Sequence, residues 1–141
     1  FRKPIKRINM KKYLAQAAFQ SSLNEDKYSM FIGRWQPWHA GHRWLIDQRL
    51  DEGKKVWIAI RNIPPDEKNP WTADEVMLNL QKELHDLIKE DRIFISKVPD
   101  IESINIGRGV GYDVIEHCPP DVVKNISATK IREEMKQNGK L

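Results

Sequence analysis

Residues 31–46, FIGRWQPWHAGHRWLI, restrict the fold more than any other part of the chain. An apolar run from Tyr28 ends in a Gly33-Arg34 turn and passes Pro37. It then reaches His39-Ala40-Gly41-His42 just where an apolar helical pattern begins. The run is short and does not alternate, which predicts a strand buried on both faces of a parallel sheet. A helix beginning at about His39 puts His42 in its first turn. The two imidazoles then face one point beside unpaired backbone N–H groups and the positive end of the helix dipole, a setting that attracts phosphate. Gly41 leaves out a side chain where a ligand approaches. The plain alternative is a pair of ordinary surface or core histidines. Only four histidines and one cysteine are present, and no third ligand stands nearby at helical or loop spacing. The chain is therefore expected to supply no metal ligand of its own.

The rest of the chain is read around that stretch. Residues 1–27 form a basic arm followed by an amphipathic helix over about 10–20, capped by Asn9, with Met10, Tyr13, Leu14, Ala17 and Ala18 on one stripe. Residues 28–141 form the second unit. A helix runs from about 39 to 52 with Trp44, Leu45 and Leu50 inward, and Gly53 caps its end. Residues 55–61 are the second strand. Thr72, with Glu75 three residues on, opens a long helix reaching about Lys89. Its apolar side carries Val76, Met77, Leu80, Leu84, Leu87 and Ile88. Residues 93–98 are a third strand, 112–116 a fourth, and 121–125 a strand stub. Ser127 caps a last helix over about 128–137. This order predicts a Rossmann-like parallel α/β sheet with helices on both faces, in a single domain with an N-terminal helical arm. In such sheets ligands bind beyond the carboxyl ends of the strands, where Gly33 to His42, Arg61, Asn62, Pro99 and Asp100 collect.

Composition narrows the class. The chain has 141 residues, 40% of them apolar and 31% charged, as in an ordinary globular protein with one core. Cys118 is the single cysteine, which excludes a disulfide within the chain and suits a reducing cytoplasm. No apolar run approaches the ~20 residues a bilayer requires, so a membrane partner is not expected. The formal charge of +4 favours anionic partners. Much of the excess lies between Arg2 and Lys12 without aromatic interleaving, which argues against nucleic acid as the partner. The first residue is Phe1, as expected of a processed product or a piece of a longer chain.

A second motif, ISATKIR, stands at residues 126–132. It puts Ser127 and Thr129 at a helix start and Lys130 and Arg132 over the next turn. Hydroxyls, the amides around Ala128, and two cations can together hold phosphate oxygens. An N-capped helix with a solvated face is the competing account.

With both motifs in hand, the sequence resembles the HxGH nucleotidyltransferase superfamily, whose members carry G-x-F-x-P-x-H-x-G-H after the first strand and I-S-x-T-x-I-R at a late helix. Within it, the residues GR-aromatic-QP, Lys68 to Thr72 (KNPWT), Val98 to Ile101 (VPDI) and ISATKIR look most like archaeal-type nicotinamide mononucleotide adenylyltransferases. The stretch SINIGRGVGY at 103–112 departs from that type, and cytidylyltransferases acting on alcohol phosphates share the superfamily motifs. The resemblance implies attack by an acceptor phosphate on the α-phosphorus of ATP (or CTP), with pyrophosphate leaving and Mg²⁺ bridging the phosphates. It assigns His39, His42 and Arg132 to catalysis. It assigns Gly33, Arg34, Gly41, Ser127, Ala128, Thr129 and Lys130 to the nucleotide. Arg61, Asn62, Trp71 and Arg108 are candidates for the phosphorylated acceptor. A homo-oligomer is compatible with the pattern. A binding module that holds nucleotide without turning it over is the rival from another class.

Overall fold

Three strands, β1 (Tyr28–Gly33), β2 (Lys55–Asn62) and β3 (Ile93–Pro99), form one parallel sheet in the order β1-β2-β3. The computed structural model describes residues 26–109 and 111–140; the expected arm and the helix over 10–20 lie outside them. Strand β2 is central, and its register sets Ser29 and Ile93 on either side of Val56, and Phe31 and Ile95 on either side of Ile58. Val56, Ile58, Ala59 and Ile60 are fully buried, as a middle strand with both faces covered requires.

Helix α1 (Ala40–Leu50) links β1 to β2. Its core stripe is Ile46 and Leu50, with Leu45 packed beside them, so Ile46 is the inward residue that the sequence pattern had overlooked. The end of α1 follows the expectation. Gly53 has φ 78, its N–H reaches Leu50 O, and Lys54 N–H reaches Arg49 O. That bond pair is a Schellman motif, and the left-handed φ is what selects glycine there.

Helix α2 (Ala73–Glu83) opens with the predicted box, Thr72 and Glu75 each bonding the other's backbone N–H. It lays Val76 and Leu80 on the core and packs against β2 and β3. The expected single helix to Lys89 is divided at Leu84, whose φ of −114 and ψ of 20 leave the helical range. Hydrogen bonds from Leu84 N–H to Leu80 O and from Ile88 N–H to Leu84 O carry the ladder into α3 (His85–Lys89). Leu84 stays buried at the break.

Two expectations fail after β3. Residues 112–116 are not a strand, and Tyr112, Val114 and Ile115 are half-exposed or more. Just upstream, Gly109 (φ 72) and Gly111 (φ 83) turn the chain sharply. Adjacent apolar Val114 and Ile115 also point to opposite sides of an extended chain, so one face cannot bury both. The expected strand stub is instead a short helix, α4 (Asp121–Lys124), which follows Pro120 and packs against α1. Proline immediately before a first turn carrying Asp121 suits a helix start, not a strand. The final helix α5 (Ala128–Gln137) begins where expected, with Ser127 Oγ accepting Lys130 N–H at 3.1 Å.

Candidate active site

The site is built at the carboxyl end of β1. Trp35 is buried there at φ 56, a left-handed backbone that bulky residues rarely adopt. Its Nε1 donates to Ala59 O on β2 at 3.1 Å, which ties the loop to the central strand. A Cβ on Gly33 would lie 2.9 Å from the Trp35 ring. Gly33 therefore makes room for that indole.

His39 is the N-cap of α1. Its Nδ1 accepts Gly41 N–H at 3.0 Å and His42 N–H at 3.3 Å, while His42 Nδ1 accepts His39 N–H at 3.3 Å. The motif is thus a capping box made of two imidazoles, and it satisfies three of the backbone donors that open a helix. It also fixes the tautomers. In each neutral ring the accepting Nδ1 is bare, so the proton sits on Nε2. The rings are stacked, with centroids 3.6 Å apart and planes 18° from parallel. A Cβ on Gly41 would lie 2.8 Å from His39 Cε1, so the absent side chain accommodates the His39 ring folded over its own helix.

His42, Ile46 and Leu50 recur every four residues, which sets His42 on the core-facing stripe of α1. Trp35 lies edge-on to it at 4.9 Å and Trp38 is tilted against it at 5.3 Å. Burial in this aromatic setting, and then the neighbouring His39, lower its pKa from 6.5 to about 3. Burial also lowers the pKa of His39. Both rings are neutral at pH 7 and offer N–H donors without a charge.

The second motif is folded onto the first. Ile126 Cβ lies 3.8 Å from where a Cβ on Gly41 would stand. Arg132 Nη1 donates to Gln36 O, and its Nη2 to Thr129 Oγ1 at 3.4 Å. Lys130 and Thr129 are exposed, and Ser127 and Ala128 half-buried, at the start of α5. Residues 85 (126 − 41) and 96 positions apart in sequence thus meet at one corner.

The remaining candidates divide. Arg61 closes the ends of β2 and β3 by donating through Nε and Nη2 to Asp100 Oδ1 at 2.9 and 2.7 Å. This contact, its largest, holds the Asp100 carboxyl below the usual carboxylate range. Asp66 is lowered as well, mainly by the Asn69 N–H. The exposed Arg34 adds a smaller pull on both carboxylates. Asn62 ends β2 opposite Pro99. Trp71 packs against the core, so its ring has a structural role already. Arg108 is exposed in the irregular stretch after β3 and is not drawn into this corner by any element. Gln36, absent from the sequence-based candidates, is buried at the centre of the loop. A buried amide within an aromatic and proline-rich run was the available signal. Among the described residues no helix is long and apolar enough to cross a membrane, and no cluster of His, Cys, Asp or Glu is placed to hold a metal ion.

Comparison with known proteins follows the same direction. The chain is 36% identical over 77 residues to a nicotinamide-nucleotide adenylyltransferase of Caldivirga maquilingensis, covering 52% of this chain and 43% of that protein. It is 32% identical over 75 residues to that of Methanospirillum hungatei, covering 52% and 42%. It is 26% identical over 132 residues to that of Methanocorpusculum labreanum, covering 75% and 77%. The chain is similar to archaeal nicotinamide-nucleotide adenylyltransferases. It spans less than half the length of the first two of these relatives. No family model and no solved structure matches it. The α/β sheet and the joined motifs agree with the likeness to the HxGH nucleotidyltransferases that the two motifs carry.

Proposed function

We propose that residues 28–141 form a nucleotidyltransferase unit that moves an adenylyl group from ATP to nicotinamide mononucleotide and releases pyrophosphate. The observation that carries the reading is the docking of ISATKIR onto the HxGH loop, where Arg132 bonds Gln36 O and Ile126 lies against Gly41. The names of the relatives support adenine and the nicotinamide acceptor.

The acceptor phosphate is already an anion at neutral pH, so the reaction needs no general base. Rate comes from alignment and from stabilising charge on the α-phosphoryl group and the leaving pyrophosphate. His39 and His42 serve as neutral Nε2–H donors, which place a hydrogen bond without requiring a proton to be held at pH 7. Ser127, Thr129, Lys130 and Arg132 take the β- and γ-phosphates, with Arg132 and Lys130 supplying the positive charge. Arg34 forms the turn beneath the nucleotide phosphates, and Arg61 is the candidate for the acceptor phosphate. The donors around the corner are imidazoles, hydroxyls, amides and cations, and Asp66 and Asp100 already accept hydrogen bonds. That donor set fits Mg²⁺ carried by the triphosphate oxygens rather than by the protein. When bound, the ion would supply charge neutralisation. The free thiol of Cys118 accords with a cytoplasmic setting.

The test is pyrophosphate release with Mg²⁺, crossing ATP and CTP against nicotinamide mononucleotide and a panel of alcohol phosphates. Release with ATP and nicotinamide mononucleotide alone is the expected result. Release with CTP and an alcohol phosphate moves the chain to the cytidylyl branch. ATP binding with no release across the panel replaces the enzyme with the binding module.

A further inference from the structure

Two polar side chains are buried among the described hydrophobic core, Gln36 and Asn69. Asn69 is held locally, its N–H donating to Asp66 Oδ1 three residues back. Gln36 reaches much farther. Its Nε2 donates to Trp71 O at 3.0 Å, and its Oε1 accepts Trp71 N–H at 3.1 Å, across 35 residues. One primary amide thereby satisfies both polar backbone groups of a single residue. Two bonds to one partner fix orientation as well as distance, and neither group can be left unpaired in the interior without cost. The main-chain carbonyl of the same Gln36 accepts Arg132 Nη1. A single residue therefore joins the histidine loop, the entry to α2, and α5.

We propose that Gln36 is a positioning residue: its bracket on Trp71 immobilises its own peptide, and that peptide's carbonyl aims the Arg132 guanidinium at the nucleotide phosphates. The proposal rests on the nucleotide-binding part of the nucleotidyltransferase reading. Helix α5 has no fully buried residue; Ala128, Ile131, Arg132 and Met135 are half-buried. The other Arg132 bond, to Thr129, lies within α5 and cannot orient the guanidinium relative to His39 and His42. The Gln36 carbonyl is the contact that does so, and it is only as fixed as the side chain behind it. Trp71 stands where the long 62–71 loop enters α2, so the same bracket holds that loop in step with the phosphate side of the site.

The experiment is a double-mutant cycle read by calorimetric binding of a non-hydrolysable ATP analogue with Mg²⁺. It uses the whole chain as wild type, Gln36→Leu, Arg132→Ala and the double variant. Gln36→Leu keeps the volume and removes both bonds. It should weaken binding about tenfold when Arg132 is present and less than about twofold when it is absent, because contacting groups are non-additive. An equal loss in both backgrounds marks plain structural support and overturns the proposal, as does no loss beside Arg132. Circular dichroism and thermal melting check the fold. If Gln36→Leu does not fold, Gln36→Glu enters the same cycle, since it retains an acceptor for Trp71 N–H without the Nε2 donor. Wild type that binds no analogue sinks the site reading and the proposal together. Coupling without any pyrophosphate release keeps the proposal and sinks the transferase reading.

Discussion

Helices α1 and α5 both open on a motif that caps its own N-terminus, yet they solve the problem of meeting an anion in opposite ways. At α1 the caps are two stacked imidazoles, of which His42 lies on a core stripe with Ile46 and Leu50, walled by Trp35 and Trp38. Burial holds those rings neutral. At α5 no side chain is fully buried; the cap is a serine, Lys130 is exposed, and Arg132 reaches a backbone carbonyl. One end supplies donors without charge, and the other supplies charge that, in our proposal, the Gln36 carbonyl aims. Under the proposed function, a site that binds a triphosphate and lets pyrophosphate leave would benefit from this division. In that proposal charge supplies affinity, and fixed neutral donors respond to the change at the α-phosphorus.

The comparison is broken most severely at its uncharged end. His42→Ala should lower kcat by about 10²–10³-fold, the usual loss on deleting one preorganised donor, with circular dichroism unchanged. Full turnover in that variant would sink the mechanism. Arg132→Ala should cost less in kcat and more in nucleotide affinity, about tenfold or more in Kd, because it removes charge from a ground-state contact. If the two variants exchange these signatures in steady-state kinetics, the roles assigned to α1 and α5 are reversed.

The third expectation concerns acid. The His42 pKa is lowered from 6.5 to about 3 in the folded protein, so between those values the unfolded chain binds a proton that the folded chain does not. Stability from this group is complete above about pH 6.5 and is lost as pH falls toward about 3. Thermal midpoints from about pH 7 to about pH 4 should therefore decline, and His42→Asn should flatten the decline relative to wild type. An unchanged slope would show that His42 is not desolvated. The smallest effect belongs to the exposed end of the comparison. Ser127→Ala should cost about 1 kcal/mol by denaturant unfolding, the typical value for a lost N-cap. A much larger loss would mean that α5 is more tightly built into the fold than its exposure indicates.

The strands and helices around the first motif were legible because each carried two independent signals: apolar run and turn for β1, capping box and stripe for α2, glycine and helix end for α1. The region after β3 offered only a few apolar residues, and there the expected strand at 112–116 and the stub at 121–125 both failed. A strand is defined by a partner, and residues 112–116 have no sheet neighbour to complete one. The sequence also named His39, His42, Ser127 and Arg132 as one site, but it missed Gln36. An amide's importance lies in what it brackets, and Trp71 is 35 residues away.

By itself the sequence determined the parallel α/β order, the two phosphate-type motifs and the helix caps, since these depend on local period, turn chemistry and neighbours within four residues. Only the tertiary structure decided the rest. It placed His42 among tryptophans, which made its ring neutral, and it gave Gly33 and Gly41 their reasons in Trp35 and His39. It also paired Arg61 with Asp100 and rested Arg132 on the Gln36 carbonyl. Burial and long-range hydrogen bonding depend on which surfaces meet, and a linear pattern does not contain that information.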